Sequence, residues 1–200
     1  MNPMNTTHST RRQAAIALVT AAALTLTGCS PGPAENAVPN STPASSEHYD
    51  LAGLDAPQII NTLDTMPVAD RPDDLIASVQ PTELRVDSEV KSLTLPMPDD
   101  QFYLSVAPYY TSTHPCRFHS LTTCLGEITN EQMHVTVTDN ASGDTLIDEP
   151  RTTYDNGFLG LWLPRDITAT LTIDHDGRTA TAPISTGDDD PTCLTTMQLA

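Results

Sequence analysis

The chain has very few basic residues. Among its 200 residues there are 9 Lys plus Arg against 26 Asp plus Glu, a formal net charge of -17 at pH 7. Lys91 is the sole lysine. Such a surface repels phosphate backbones, which excludes nucleic acid as a partner. Aromatic residues make up only 4% of the sequence, too few for a large aromatic-lined substrate pocket. There is no serine nucleophile elbow, no phosphate-cradling glycine loop, no His-Glu-x-x-His helix and no EF-hand loop, so no familiar enzyme class is indicated. Only four cysteines are present, Cys29, Cys116, Cys124 and Cys193, which excludes a disulfide-dense miniprotein. The 17 prolines, by contrast, imply a chain with many turns.

What is present begins with a targeting segment over residues 1–28. Arg11 and Arg12 supply a positive start, and the apolar run from Ala14 to Leu26 is shorter than the ~20 residues a membrane-spanning helix requires. It ends in Leu26-Thr27-Gly28-Cys29, the pattern of a bacterial lipobox, which predicts cleavage before Cys29 and acylation of that residue. Cleavage removes both arginines and no acid, so the anchor gains nothing from a polybasic patch and relies on its acyl chains. Residues 29–48 then read as the lipidated cysteine and a tether rich in Pro, Ser, Ala and Asn, with a reach of roughly 25 Å by random-coil scaling. The expected location is extracytoplasmic, on the outer face of the cytoplasmic membrane and held by lipid alone. That compartment allows disulfides to persist.

Apolar periodicity starts near Asp50. Residues 49–81 read as a helical N-terminal segment. One short helix has Asp55 as N-cap and Pro57 in its first turn; a second runs from Arg71 to Val79 and stops before Pro81. Two such helices are thin for an independent core, so a homodimer through them is an open expectation. From Thr82 the period becomes two. Strands are expected at Glu83 to Val86, Ser92 to Leu95, Gln101 to Val106, Gln132 to Thr138, Asp144 to Ile147, Phe158 to Leu163, Ala169 to Asp174 and Arg178 to Ile184. Asn140-Ala141-Ser142-Gly143, Asn156-Gly157 and Asp176-Gly177 supply turn chemistry, the last two as hairpin signals. The expected fold is α+β, mainly β: a small helical N-terminal part and a compact β-sandwich over 82–200. Phe158 and Trp162 share one strand face and read as core.

The segment from His114 to Cys124 resists a purely structural reading. It holds His114, Cys116, His119 and Cys124, and a further cysteine returns near the C-terminus at Cys193. The Cys116 to Cys124 spacing is wider than the Cys-x-x-Cys of zinc ribbons and thioredoxins, so spacing alone names no motif. Soft thiolates favour Cu(I), zinc or iron-sulfur clusters; three thiolates suit trigonal Cu(I), and three with an imidazole suit tetrahedral zinc. A disulfide between Cys116 and Cys124 competes for the same sulfurs and would contribute at most roughly 2 to 3 kcal/mol. In an extended segment His114 and Cys116 share a face while His119 points to the other, so geometry favours His114 as a ligand. Met133, His134 and Met197 read as strand residues, and Asp188 to Asp190 as a solvated loop. Two other readings stay open: a thiol-disulfide oxidoreductase using Cys116 and Cys124, and a surface module whose cysteines are structural or bind zinc.

The segment Cys116 to Glu127, with its Phe-His-Ser-Leu-Thr-Thr-Cys core, resembles the signature of the CueP family of periplasmic copper-binding proteins. So do Gly157-Phe158-Leu159-Gly160-Leu161-Trp162-Leu163-Pro164-Arg165-Asp166 and the closing Pro191-Thr192-Cys193-Leu194-Thr195-Thr196. The resemblance implies copper binding outside the cytoplasm, a role in copper resistance, and transfer to a recipient copper protein. It places the family's three cysteines on Cys116, Cys124 and Cys193 and its motif histidine on His119, where geometry alone favours His114. The lipobox cysteine departs from a soluble periplasmic protein.

Overall fold

The computed structural model describes residues 51–200; the targeting segment, Cys29 and the tether lie outside the described residues. One helix, α1 (Ala56–Asp64), opens the fold. Asp55 caps it: its carboxylate accepts from the Gln58 N–H at 2.9 Å, and the Gln58 side chain accepts from the Asp55 N–H at 3.0 Å. Pro57 falls in the first turn, where its missing N–H has no intrahelical acceptor to lose.

The expected second helix is instead a turn followed by strand β1 (Leu75–Val79). The apolar stretch there is too short for a stable helix, and Ala77 and Val79 are buried at a period of two. β1 pairs antiparallel with β2 (Glu83–Ser88), which pairs with β3 (Ser92–Pro96). The segment read as helical therefore joins a sheet across residue 81.

Two more sheets form the sandwich. In one, β4 (Gln101–Tyr109) lies between β7 (Leu159–Pro164), antiparallel, and β10 (Cys193–Gln198), parallel. In the other the order is β6 (Thr145–Thr152), β5 (Gln132–Asp139), β8 (Thr168–His175), β9 (Arg178–Ser185), all antiparallel. β6 is an edge strand and carries Pro150, which an edge tolerates. Asp176-Gly177 makes the expected tight hairpin, with both residues at positive φ. Asn156-Gly157 does not: β6 and β7 belong to different sheets, so this turn is a crossing between them.

β4 explains how one chain carries several packed layers. Phe102, Leu104 and Val106 face the sandwich core with Val135, Leu161 and Leu171, while Tyr103 packs on the other side with Ile59, Ile60, Leu63 and Leu121. Met133 and Met197 fill the sandwich core, and His134 pairs with Asp148 at the surface. A third, smaller cluster joins Ala107, Phe158 and Cys193 with Cys116 and Cys124. Trp162 is half-buried against Tyr103 at 4.9 Å between ring centroids.

Two close approaches demand glycine. A Cβ on Gly126 would lie 2.4 Å from the Gly157 carbonyl oxygen, where the crossing turn meets the cysteine loop. A Cβ on Gly160 would lie 2.1 Å from the Tyr103 hydroxyl. Gly160→Ala is expected to lower the unfolding free energy by about 1–3 kcal/mol in urea titration, as overpacking of a closed interior does.

Candidate metal centre

The long connection between β4 and β5 carries four of the five predicted site residues, and the fold laces it down at several points. Glu127 holds its entry: the carboxylate accepts from the N–H groups of Tyr110 at 2.6 Å, Thr111 at 3.0 Å and Ser112 at 3.2 Å. The Thr111 hydroxyl also donates to it, and these bonds hold Glu127 down at about 2. Further on, the loop adds to β1: the Val79 N–H donates to the His119 carbonyl, and the Leu121 N–H to that of Ala77, both at 2.8 Å. On the other side the Cys193 N–H donates to the Arg117 carbonyl at 3.2 Å. Thr192 joins the two sides, accepting from the His119 N–H and donating to the Val79 carbonyl at 2.6 Å. Arg71 donates to the Cys124 carbonyl at 2.9 Å.

This lacing brings all five predicted residues together. His114, Cys116 and Cys124 form one set whose ligand atoms lie within 4.8 Å of one another; His119, Cys124 and Cys193 form another. Cys124 belongs to both, and neither set contains both histidines. The loop is bent rather than extended, so strand alternation does not apply: His114 faces Cys116, and His119 turns inward to put Nδ1 3.9 Å from the Cys193 sulfur. All three thiols are free. The Cys116 and Cys124 sulfurs lie 3.8 Å apart, well beyond the roughly 2.05 Å of a disulfide bond.

Phe158 is fully buried, as expected of a core residue, but its ring forms a wall of this site. It lies 4.6 Å from the His119 ring and 6.3 Å from the His114 ring, centroid to centroid. The Asp188 to Asp190 run, read as a solvated loop, also has structural contacts. Asp188 pairs with Arg165, and the Asp190 carboxylate accepts from the Gly187 N–H. Arg117 donates to the Asp189 carbonyl at 2.6 Å.

The residue that sequence reasoning missed is Asp64, at the end of α1 and fully buried. Its carboxylate accepts from His119 Nε2 at 2.8 Å, from the Tyr103 hydroxyl at 2.5 Å and from Asn156 Nδ2 at 2.8 Å. Asn156 in turn accepts from the Phe158 N–H at 2.8 Å. The signal was in the helix pattern. Ile59, Ile60 and Leu63 mark its buried face, and Asp64 falls four residues after Ile60 on that same face.

Burial works against charge on Asp64, yet protonated His119 and the bonds from His119, Tyr103 and Asn156 outweigh it and hold the carboxyl below its ordinary value. Burial likewise disfavours the imidazolium of His119, but the Asp64 charge and hydrogen bond, with Cys124 beyond, push it up to about 9. Among the sulfurs, hydrogen bonds from Cys116 and Cys193 lower Cys124 against the cost of burial, and His119 adds to the effect. Cys116, donating to Cys124, is pushed up to about 12, and Cys193 is raised by its bonds to both other thiols and by burial. Three thiols, of which Cys124 is favoured for ionisation over its neighbours, with an imidazole fixed by a carboxylate, form a donor set suited to soft metal ions.

Residues 58–198 match the family described as "Periplasmic copper-binding protein CueP". The chain belongs to the CueP family. Its fold is similar to the crystal structure named "Crystal Structure of S.CueP", with a TM-score of 0.71 and 42% identity over 78% of this chain and 99% of that one. No curated protein sequence matches it. The description of the CueP family specifies copper and the periplasm, and the cysteine and histidine cluster of this member is compatible with a metal site. Among the described residues no helix is long and apolar enough to cross a membrane.

The His119 and Asp64 pair gives this CueP protein a defined pH dependence. Because the folded value of about 9 lies above the ordinary 6.5, the pair stabilises fully below about 6.5, and the contribution is lost as pH rises through about 9. Asp64→Asn is expected to remove this slope between pH 6 and pH 10 in denaturant titrations. NMR should show the His119 titration moving down from about 9. Metal affinity should fall by about 10- to 100-fold, as loss of a partner that orients a ligand does.

Proposed function

We propose that the protein is a lipid-anchored Cu(I) carrier that uses Cys116, Cys124 and Cys193, with imidazole assistance, for copper tolerance and for delivery to a recipient copper protein. The observation that carries the reading is the convergence of three free thiols and two imidazoles on Cys124 in a chain of a copper-binding family. Cu(I) is soft, accepts two or three sulfur or imidazole ligands and needs no water in its shell, which suits a half-buried pocket walled by Phe158. Zinc, harder and usually four-coordinate, is the weaker occupant of either three-ligand set. The anchor rests on the lipobox ending at Cys29.

The thiols also give a route from Cu(II). Two cysteines each surrender one electron to one Cu(II) ion, lose their protons and join as a disulfide, yielding two Cu(I). Cys116 and Cys124 are the adjacent pair, which leaves Cys193 and His119 to retain one Cu(I) while the other departs.

Anaerobic titration of the reduced protein with chelator-buffered Cu(I) tests the reading. One ion per chain is expected, with Cys124→Ser costing more affinity than either Cys116→Ser or Cys193→Ser, because only Cys124 belongs to both ligand sets. Absence of Cu(I) binding, or indifference to Cys193→Ser, overturns it. Added Cu(II) should become Cu(I) as free thiols disappear in equal number. Cys29→Ser is expected to move the protein from the membrane fraction to the soluble one; retention on the membrane would contradict the anchor.

A further inference from the structure

The two overlapping ligand sets differ in exposure in a way that a single binding site does not require. His114 and Cys116 are half-buried and open to solvent, whereas His119 is 0% exposed and Cys193 3%. The Phe158 ring packs near both imidazoles and against the sulfur cluster, an apolar wall between an outer and an inner histidine. His119 is held from behind by Asp64, so its Nδ1 is fixed toward the sulfurs. His114 makes a ring contact with Phe158 and has no carboxylate behind it among the described contacts. One imidazole is preorganised for holding, and the other is placed for meeting an ion from solvent.

We infer that these are two stations of a copper relay: His114, Cys116 and Cys124 capture Cu(I) at the surface, and the ion then passes inward to His119, Cys124 and Cys193, with the Cys124 sulfur bonded throughout. The inference rests on the Cu(I)-carrier reading and adds to it a path with an order. In the transfer the bonds from copper to His114 and Cys116 break as those to His119 and Cys193 form. No electron moves; the Cys193 proton leaves as that sulfur binds, and Cys116 takes up a proton as it is released. Keeping one thiolate bonded means that the ion is never bare, which avoids the cost of dissociating a soft cation into an apolar pocket. Release to a recipient runs the steps in reverse, so a partner meets copper at the exposed station.

The relay separates rates from equilibrium, and its test uses the full chain, reduced and anaerobic, with Cu(I) supplied by and withdrawn to a chromophoric chelator in a stopped-flow instrument. His114→Ala is expected to slow both uptake and chelator-driven release by about tenfold or more, a larger factor than any loss of equilibrium affinity it causes. His114→Met, which restores a soft donor, should recover the rates. His119→Gln is expected to do the opposite, weakening equilibrium affinity and leaving the fast first phase of uptake. Because that substitution disturbs a buried pair, X-ray absorption of the wild type and of His114→Ala supplies an independent reading: both should show the same sulfur and imidazole shell. Unchanged rates in His114→Ala, or an affinity loss equal to that of His119→Gln, would mean one joint site and would overturn the relay while leaving the carrier intact. A wild-type protein that takes up no Cu(I) at all would instead remove the carrier reading and the relay with it.

Discussion

The structure depends on a carboxylate placed where charge is costly. Asp64 is fully buried, and a lone carboxylate there would be driven to its neutral form. Three side chains from three separate parts of the chain prevent this: His119 from the cysteine loop, Tyr103 from β4 and Asn156 from the crossing before β7. The same requirement therefore docks α1, orients the loop and fixes the turn that positions Phe158. It also sets the chemistry. With Nε2 of His119 committed to Asp64, only Nδ1 remains to face the sulfurs. A residue outside both candidate ligand sets thus determines which imidazole atom faces the sulfurs.

Much of the β architecture was legible because burial imposes a period of two on β5, β7 and β8, whereas β4, covered on both faces, runs on to Tyr109 and the exposed edge strand β6 runs on to Thr152, beyond their expected ends. The misreadings have distinct causes. β1 looked helical because Asp73 and Asp74 mimic a first helical turn, and only its pairing with β2 makes five residues a strand. β10 escaped notice because its inward positions are Cys193, Thr195 and Met197, and its partner in parallel pairing lies far away in sequence. Asn156-Gly157 carries hairpin chemistry, but the strands on either side enter different sheets. Turn residues specify a local reversal, not what the reversing chain pairs with.

The site was legible as a list of residues and not as an arrangement. Thiol and imidazole chemistry pointed to a soft metal, and a family signature selected the cysteines. Alternation, however, could not place the histidines, because the loop bends where it adds to β1. Asp64 belongs to neither candidate ligand set and meets the site through His119. Its trace was a mismatch of level: an acid on the apolar face of an amphipathic helix. Such conflicts between local pattern and residue type are where functional groups are expected to stand.

The scarcity of basic residues acquires a structural meaning in this light. Arg71, Arg117 and Arg165 each donate to main-chain carbonyls, of Cys124, of Asp189 and of Pro81 and Gln101 respectively, and Arg165 also pairs with Asp188, so these cations act as fasteners. The remaining surface is acidic and favours the approach of cations. In the site loop one sulfur, Cys124, belongs to both candidate ligand sets and lies 3.8 Å from that of Cys116, so the proposed chemistry gives it three competing uses. It cannot serve metal and disulfide together, because a thiolate that has formed a sulfur-sulfur bond is no longer a strong donor. In the proposed carrier, occupancy and oxidation at this centre would therefore be coupled through a single atom, and the surrounding redox poise would set how much Cu(I) it holds.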